Sequence, residues 1–469
     1  MYWFGFFTAV LFASCYAAQA QGDNNPKSDA ATPAPSIAGL TGCKLVFDDE
    51  FDKASWARTS PKGTAKWFSL PSVPGKYIGY QVHDDESMAI KDGVLVNTLA
   101  FKAKTDVSGR HCAGPVGMKD DSGAELISME MPGASKQHDN RLTWGGSGWV
   151  GMKFTTPAAG LTVSELGLYN IAGSQEEHEV RIFDEATGDD VAKTKVSLKG
   201  KPEGWVYAPI VGGKKMLNGG HSYCLMCWQY SKHDSWYDGY TTVTAKGGIT
   251  VNESLWGNWH AGSLFSIDPT GAGFTQQYGF WEARVKMPAS GVGTWPSFCL
   301  YTAPDKTGCP FNEEVDIFEE YGMAYDANKD GGFGMRNGNW GDKSNKTGHA
   351  NVWPPASKPW LNWHVYGFLA TPTKCAFYLD GEKEAEFPTP TKNLRSPMYM
   401  TLEYNNGGGW PLTGLVANSH MDVDWVRVWS LPVGETNLPG DNTKPAVENP
   451  GKAPVDDKGG VVLPGDHSR

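Results

Sequence analysis

Phe280-Trp281-Glu282-Ala283-Arg284-Val285-Lys286-Met287 alternates apolar and polar residues with a period of two, and that period decides the fold class. On a strand, successive side chains point to opposite faces. The same texture returns at Ala376 to Leu379 and Met421 to Trp429, punctuated throughout by Gly, Pro and Asn. Many short alternating stretches with closely spaced turn signals predict an all-β sandwich or barrel. No helical period is long enough for a βαβ unit, and no internal repeat is present. The 57 glycines and 19 tryptophans fit short strands and turns rather than helices. Most of those tryptophans are expected in the core, with a minority free to stack on sugar rings along a groove.

The 469 residues carry a formal net charge of -11, which argues against nucleic acid or an anionic membrane and suits a neutral polymer. Residues 1–20 hold an apolar stretch from Phe4 to Tyr16 and then Ala18-Gln19-Ala20, a small-x-small cleavage pattern. The expectation is a signal peptide ending at Ala20 and a secreted product, extracellular or periplasmic. No later stretch has the roughly 18 apolar residues of a membrane span. Residues 21–40 read as a flexible linker and 432–469 as a disordered Pro/Gly-rich tail. Strands such as His178 to Phe183, Val191 to Leu198 and Trp205 to Ile210 are joined by Asp/Gly turns. They suggest a smaller accessory β-sandwich over 136–245, inserted between 41–135 and 246–431.

Signal cleavage leaves Cys43, Cys112, Cys224, Cys227, Cys299, Cys309 and Cys375, an odd number. Cys224 and Cys227, three apart on a strand, point to opposite faces, which disfavours a zinc knuckle or redox pair and favours small buried side chains. Cys299 and Cys309 flank the loop before the acidic motif, a spacing open to a staple.

That motif is Glu314-Val315-Asp316-Ile317-Phe318-Glu319. On a regular strand Glu314 and Asp316 share a face, and Phe318 would follow them there. A one-residue bulge near Ile317 or Phe318 brings Glu319 to that side instead. Crowded carboxylates raise the pKa of at least one member, which keeps an acid protonated near neutrality. Retaining glycosidases need two carboxyl groups about 5–5.5 Å apart. Same-face residues lie about 6.6–7 Å apart along a strand, so long side chains must converge. Glu314 then suits a nucleophile, Glu319 a general acid/base, and Asp316 an orienting group. A solvated acidic edge or a calcium site is the alternative reading of these six residues alone.

With its flanks, the motif resembles glycoside hydrolase family 16, the bulged Glu-x-Asp-x-x-Glu form. The similar blocks run in family order: Leu45-Val46-Phe47-Asp48-Asp49-Glu50-Phe51, Lys91-Asp92-Gly93-Val94-Leu95, Tyr278 to Pro288, and Gly293-Thr294-Trp295-Pro296-Ser297-Phe298. Trp363-His364-Val365-Tyr366, Phe377 to Gly381, Gly407-Gly408-Gly409-Trp410-Pro411 and Met421 to Val428 complete them. The resemblance implies a concanavalin-like β-jelly-roll sandwich. It also implies a retaining endo-hydrolase of a β-linked polysaccharide, β-1,3-glucan-like or a related algal or bacterial polymer, working as a monomer without a catalytic cofactor. It assigns nucleophile to Glu314, the assisting acid to Asp316 and acid/base to Glu319. Glu282 and Arg284 match sugar-contacting positions, with a structural ion pair an equal alternative for Arg284. Trp295 and Trp410 match aromatic positions at the cleft. Glu50, Gly93 and Asp424 match the positions of a structural calcium. His364 lies on a strand that is structural in the family, so a satisfied core histidine is expected. Asn312 and Glu403 depart from the laminarinase pattern at positions beside the scissile bond. A transglycosylase, or a glycan-binding protein without catalysis, is the competing function.

Overall fold

The computed structural model describes residues 34–58, 65–69, 81–105, 114, 116–129, 148–171, 173–229, 243–268, 270–291, 293–302, 313–320, 333–339, 362–389, 396–407 and 412–432. The described chain is an all-β jelly-roll sandwich. Among these residues no helix is long and apolar enough to cross a membrane.

Two sheets enclose the main core. The first runs Glu382–Pro388, Lys374–Leu379, Trp363–Ala370, Gly279–Lys286, His420–Ser430, Val94–Thr98 and Met88–Lys91, with Lys44–Asp49 also pairing His420–Ser430. The second runs Trp56–Ala57, Trp67–Ser69, Ser263–Phe265, Met398–Asn406, Thr294–Thr302, Glu313–Glu320 and Phe333–Asn339. Along Gly279–Lys286 every second residue turns inward: Trp281, Ala283 and Val285 are buried in one cluster with Phe298, Leu300, Val315, Phe318 and Leu402 of the second sheet. Sandwich layers stack about 10 Å apart, so the outward faces of the two sheets look in opposite directions.

Two further sheets form an accessory layer. One runs Asp190–Ser197, Glu177–Asp184, Ser222–Gln229, Gly148–Thr155, Thr250–Ala261 and Gln81–His83, with Ala100–Thr105 pairing Thr250–Ala261. The other runs Gly204–Pro209, Glu165–Asn170, Val116–Lys119, Glu125–Met129 and Val243–Ala245. Between them lies a second cluster that includes Val116, Met118, Ile127, Val150, Met152, Leu166, Leu168, Val180, Ile182 and Leu225. The strands at 116–129 lie before the boundary expected at 136. They join this layer because Val116–Lys119 pairs with Glu165–Asn170.

The third sheet is buried on both faces, and its cysteines record it. Cys224 packs in the main core and Cys227 in the accessory core, as their spacing on one strand requires. Burial pushes the Cys224 thiol up to about 12. Trp149, on the main-core face, meets Phe183, Trp228 and Trp259 edge-on at 5.2–5.8 Å.

Residues 35–40, read as linker, pack against the first sheet. Ile37 and Leu40 are buried with Phe280, Leu369, Tyr378 and Trp429. Two apolar residues in a short polar stretch are enough to hold it there, and Ser36 N–H donates to Glu282 Oε2 at 3.1 Å. The rest of the linker, the signal segment and the tail from residue 433 lie outside the described residues.

Candidate active site

The acidic motif lies on Glu313–Glu320, between Thr294–Thr302 and Phe333–Asn339 in the second sheet. Its register contains the expected bulge. Asp316 pairs with Arg336 and Glu319 with Gly334, so three steps on the acidic strand match two on its neighbour. On the other side Asp316 pairs with Cys299 and Glu319 with Ser297, again one residue in excess. The extra residue lets Val315, Ile317 and Phe318 all enter the main core. Glu314, Asp316 and Glu319 then share the outward face.

Directly paired residues share a face, so the registers lay out the cleft floor in rows. One row reads Ser263, Glu403, Ser297, Glu319. The next contains Thr401, Cys299, Asp316, and the third Tyr399, Tyr301, Glu314. Glu319 is 5% exposed and Asp316 1%, with Glu314 more open. Each glutamate is held by a donor from the neighbouring strand. Tyr301 Oη–H donates to Glu314 Oε1 at 2.6 Å, and Trp295 Nε1–H donates to Glu319 Oε1 at 2.7 Å. Trp295 is thus placed at the acidic cluster as a hydrogen-bond donor. Tyr301 went unnoticed in the sequence, although alternation along Thr294–Thr302 puts it on the same face as Trp295, Ser297 and Cys299.

The low-dielectric floor favours neutral neighbours. Burial, then the adjacent Asp316, Glu319, Glu314 and Glu403 carboxylates, push the Cys299 thiol far above its ordinary range. Burial, then Cys299 and Glu314, raise the Tyr301 phenol in the same way, so both stay protonated and Tyr301 remains a donor. Cys299 is a free thiol, and its staple partner Cys309 lies outside the described residues. Ligand atoms of Cys299, Glu314 and Asp316 lie within 4.8 Å of one another. This clustering places Asp316 beside Glu314. Glu403 accepts from Ser263 Oγ–H. By strand spacing it stands two strands, about 9–10 Å, from Glu319 on the same floor.

The remaining expected site residues fall elsewhere. Glu282 does not line the cleft: it is fully buried on the outward face of the first sheet, where Trp429 Nε1–H donates to it at 2.7 Å and Ser36 N–H also binds. Burial raises its carboxyl above the usual range, partly offset by those donors. Arg284, on that face too, donates to Asp424 Oδ2 and lies 4.7 Å over the Trp363 ring. The structural alternative for Arg284 is the one realised. Period two tells which residues share a face, and here that face belongs to the opposite sheet. His364 is satisfied by Asp380 at 2.8 Å, on the first sheet. Trp410 and Asn312 lie outside the described residues.

The strand ends carrying Glu50 and Gly93 reach the same edge of His420–Ser430 as Asp424. Both carboxylates there are already matched. Arg427 binds Glu50 through Nε and Nη2 at 2.8 and 2.9 Å, while Arg284 binds Asp424. Arginine side chains thus occupy the two carboxylates expected to hold a calcium, so this arrangement does not fit a bound one.

Residues 236–427 match the family model described as glycosyl hydrolases family 16. The chain is 31% identical over 198 residues to the endo-1,3-1,4-beta-glycanase EglC of Rhizobium meliloti, covering 41% of this chain and 39% of that protein. It is 27% identical over 197 residues to the kappa-carrageenase of Pseudoalteromonas carrageenovora, covering 36% of this chain and 47% of that one. The chain therefore spans less than half the length of these curated relatives. Among solved structures, the endo-beta-1,3-glucanase of Pyrococcus furiosus aligns with a TM-score of 0.41 at 15% identity, over 86% of this chain and all of that one.

Proposed function

We propose that this chain, whose residues 236–427 belong to glycosyl hydrolases family 16, is a secreted retaining endo-hydrolase of a neutral β-linked polysaccharide. The observation that carries the reading is the bulged strand, with Glu314, Asp316 and Glu319 on one face and a separate donor on each glutamate. Two carboxyl groups flanking one bond suffice for double displacement. Glu314 attacks the anomeric carbon while Glu319 protonates the departing glycosidic oxygen. The glycosyl–Glu314 ester then breaks when Glu319, now a base, takes a proton from the attacking water. Asp316, buried between them, holds Glu314 in place. Four carboxylates on the floor, Glu403 included, repel a sulfated or carboxylated chain and suit a neutral one. Relatives named as endo-1,3-1,4-beta-glycanases agree with internal cleavage, and the apolar start of the chain agrees with export.

The test is release of reducing ends from mixed-linkage β-glucan, β-1,3-glucan and kappa-carrageenan, with the anomeric configuration of the first product followed by proton NMR. Retention of configuration and preference for the neutral chains are expected. Replacing Glu319 by Gln lowers kcat by about 10²–10⁴-fold, the usual worth of a positioned acid/base. An inverted product, or full activity in Glu314→Gln, refutes the assignment.

A further inference from the structure

We infer that the outer face of the accessory sheet carries a second, non-catalytic binding surface for a neutral polysaccharide chain, built on Trp205, Tyr207 and Tyr169. The inner face of this sheet is accounted for: Val116, Met118, Ile127, Leu166 and Leu168 fill the accessory core. The opposite face would ordinarily be polar. Instead it bears three large rings, all partly buried, of which Tyr169 and Trp205 also pack against the accessory core.

Two glycines set the geometry. Tyr207 pairs with Gly167, and Gly167 with Gly117, forming one row across three strands. A Cβ at Gly167 would lie 2.4 Å from the Tyr207 ring, and one at Gly117 would lie 3.0 Å from both Tyr207 Oη and Trp205 Cζ3. Both rings therefore lie down across bare backbone, and any side chain at either glycine would lift them. Their centroids are 5.8 Å apart at an interplanar angle of 25°, a stacked pair that forms the plate. Tyr169 meets Trp205 edge-on, at 5.7 Å and 86°, and walls one end.

Polar groups rim the plate. Tyr207 Oη–H donates to Glu125 at 3.2 Å and Tyr169 Oη–H to Glu203 at 3.4 Å, while Lys119 Nζ lies over the Tyr207 ring, 4.1 Å from its centroid, so a sugar stacking there has to displace this ammonium. A flat apolar face bordered by carboxylate acceptors matches a pyranose, whose C–H face packs on a ring while its hydroxyls donate outward. The rim of Glu125, Glu165 and Glu203 against Lys119 disfavours sulfated or phosphorylated chains. The ligand class is the one proposed for the cleft, so the inference leans on that reading for its choice of polymer, though not for its site.

The experiment is native electrophoresis of the full chain through gels cast with mixed-linkage β-glucan or kappa-carrageenan, with thermal melting as the check on folding. Wild type should be retarded by the glucan and not by the carrageenan. Trp205→Ala and Tyr207→Ala should each weaken retardation about tenfold, the scale of one aromatic contact. Trp205→Phe, which keeps a ring, should retain most of it. If Trp205→Ala fails to fold, Tyr169→Ala at the exposed end of the plate still reports, with a smaller loss. Equal retardation of wild type and the alanine variants would mean that only the cleft binds, and would overturn the inference while leaving the hydrolase intact. No retardation in a chain that hydrolyses the same glucan also overturns it. Trp205-dependent retardation without hydrolysis supports the surface and removes the enzyme reading.

Discussion

Replacing Arg181 by Met should cost about 3–5 kcal/mol of stability, although Arg181 touches neither the carboxylates of the cleft nor the aromatic plate. Arg181 is fully buried on the main-core face of the third sheet. Its Nε–H donates to Glu179 Oε2 at 2.9 Å, and Nη1–H reaches both oxygens of Asp190 at 2.8 and 3.0 Å. It also donates to the carbonyls of Leu415 at 3.0 Å and Leu412 at 3.3 Å, while the Trp149 and Trp259 rings lie 5.5 and 5.4 Å away. Methionine fills most of the volume but supplies no donor. Glu179 is then left as a buried anion and Asp190 as a partly buried one, while the Leu412 and Leu415 carbonyls keep Leu415 N–H at 3.0 Å and Lys193 Nζ at 3.3 Å. Removing one partner of a buried ion cluster typically costs about 3–5 kcal/mol, and the two carbonyls add little because each keeps a second donor. Against a usual total of roughly 5–15 kcal/mol this is a large fraction. Urea unfolding followed by tryptophan fluorescence measures it. Arg181→Lys should recover only part, since one ammonium cannot bridge both carboxylates. Arg181→Met combined with Glu179→Leu and Asp190→Leu should recover part of the loss, since both carboxylates go with the guanidinium and only Lys193 stays charged beside them. A loss below about 1 kcal/mol for Arg181→Met would show that the cluster is wet and the buried-charge argument mistaken.

Trp295→Phe removes the Nε1–H donor from Glu319 and keeps a ring. A hydrogen bond to a charged group is worth about 1.5–3 kcal/mol, so kcat should fall roughly 10- to 150-fold; unchanged kcat would show that the bond does not position the acid/base. Cys299 is 2% exposed, with its thiol raised by burial and by the carboxylates around it, so iodoacetamide should leave it unmodified in the folded chain from pH 7 to 9 and label it after urea unfolding. Mass spectrometry of the labelled peptide checks this, and rapid native labelling would contradict the closed floor.

Several features were legible before any fold was known, because they depend only on strand period and local chemistry. Alternation along Phe280 to Met287 indicated a strand of an all-β fold, and the chain forms one there. The slip between Asp316 and Glu319 required a bulge, and the two registers contain it. The three-residue spacing of Cys224 and Cys227 put them in different cores. Other features needed the assembled sheets. Period two groups Glu282 with Arg284 but cannot say whether their face looks onto the cleft, and it looks the other way. Glu50 and Asp424 offered ligand chemistry, yet Arg427 and Arg284 arrive from distant strands to neutralise them. Tyr301 and Trp295 gained their roles only because the strand carrying them pairs beside the acidic one. A residue's own face is set by its neighbours in sequence, within a few ångströms of backbone. What stands opposite that face is set by pairing across hundreds of residues, and only the tertiary structure decides it.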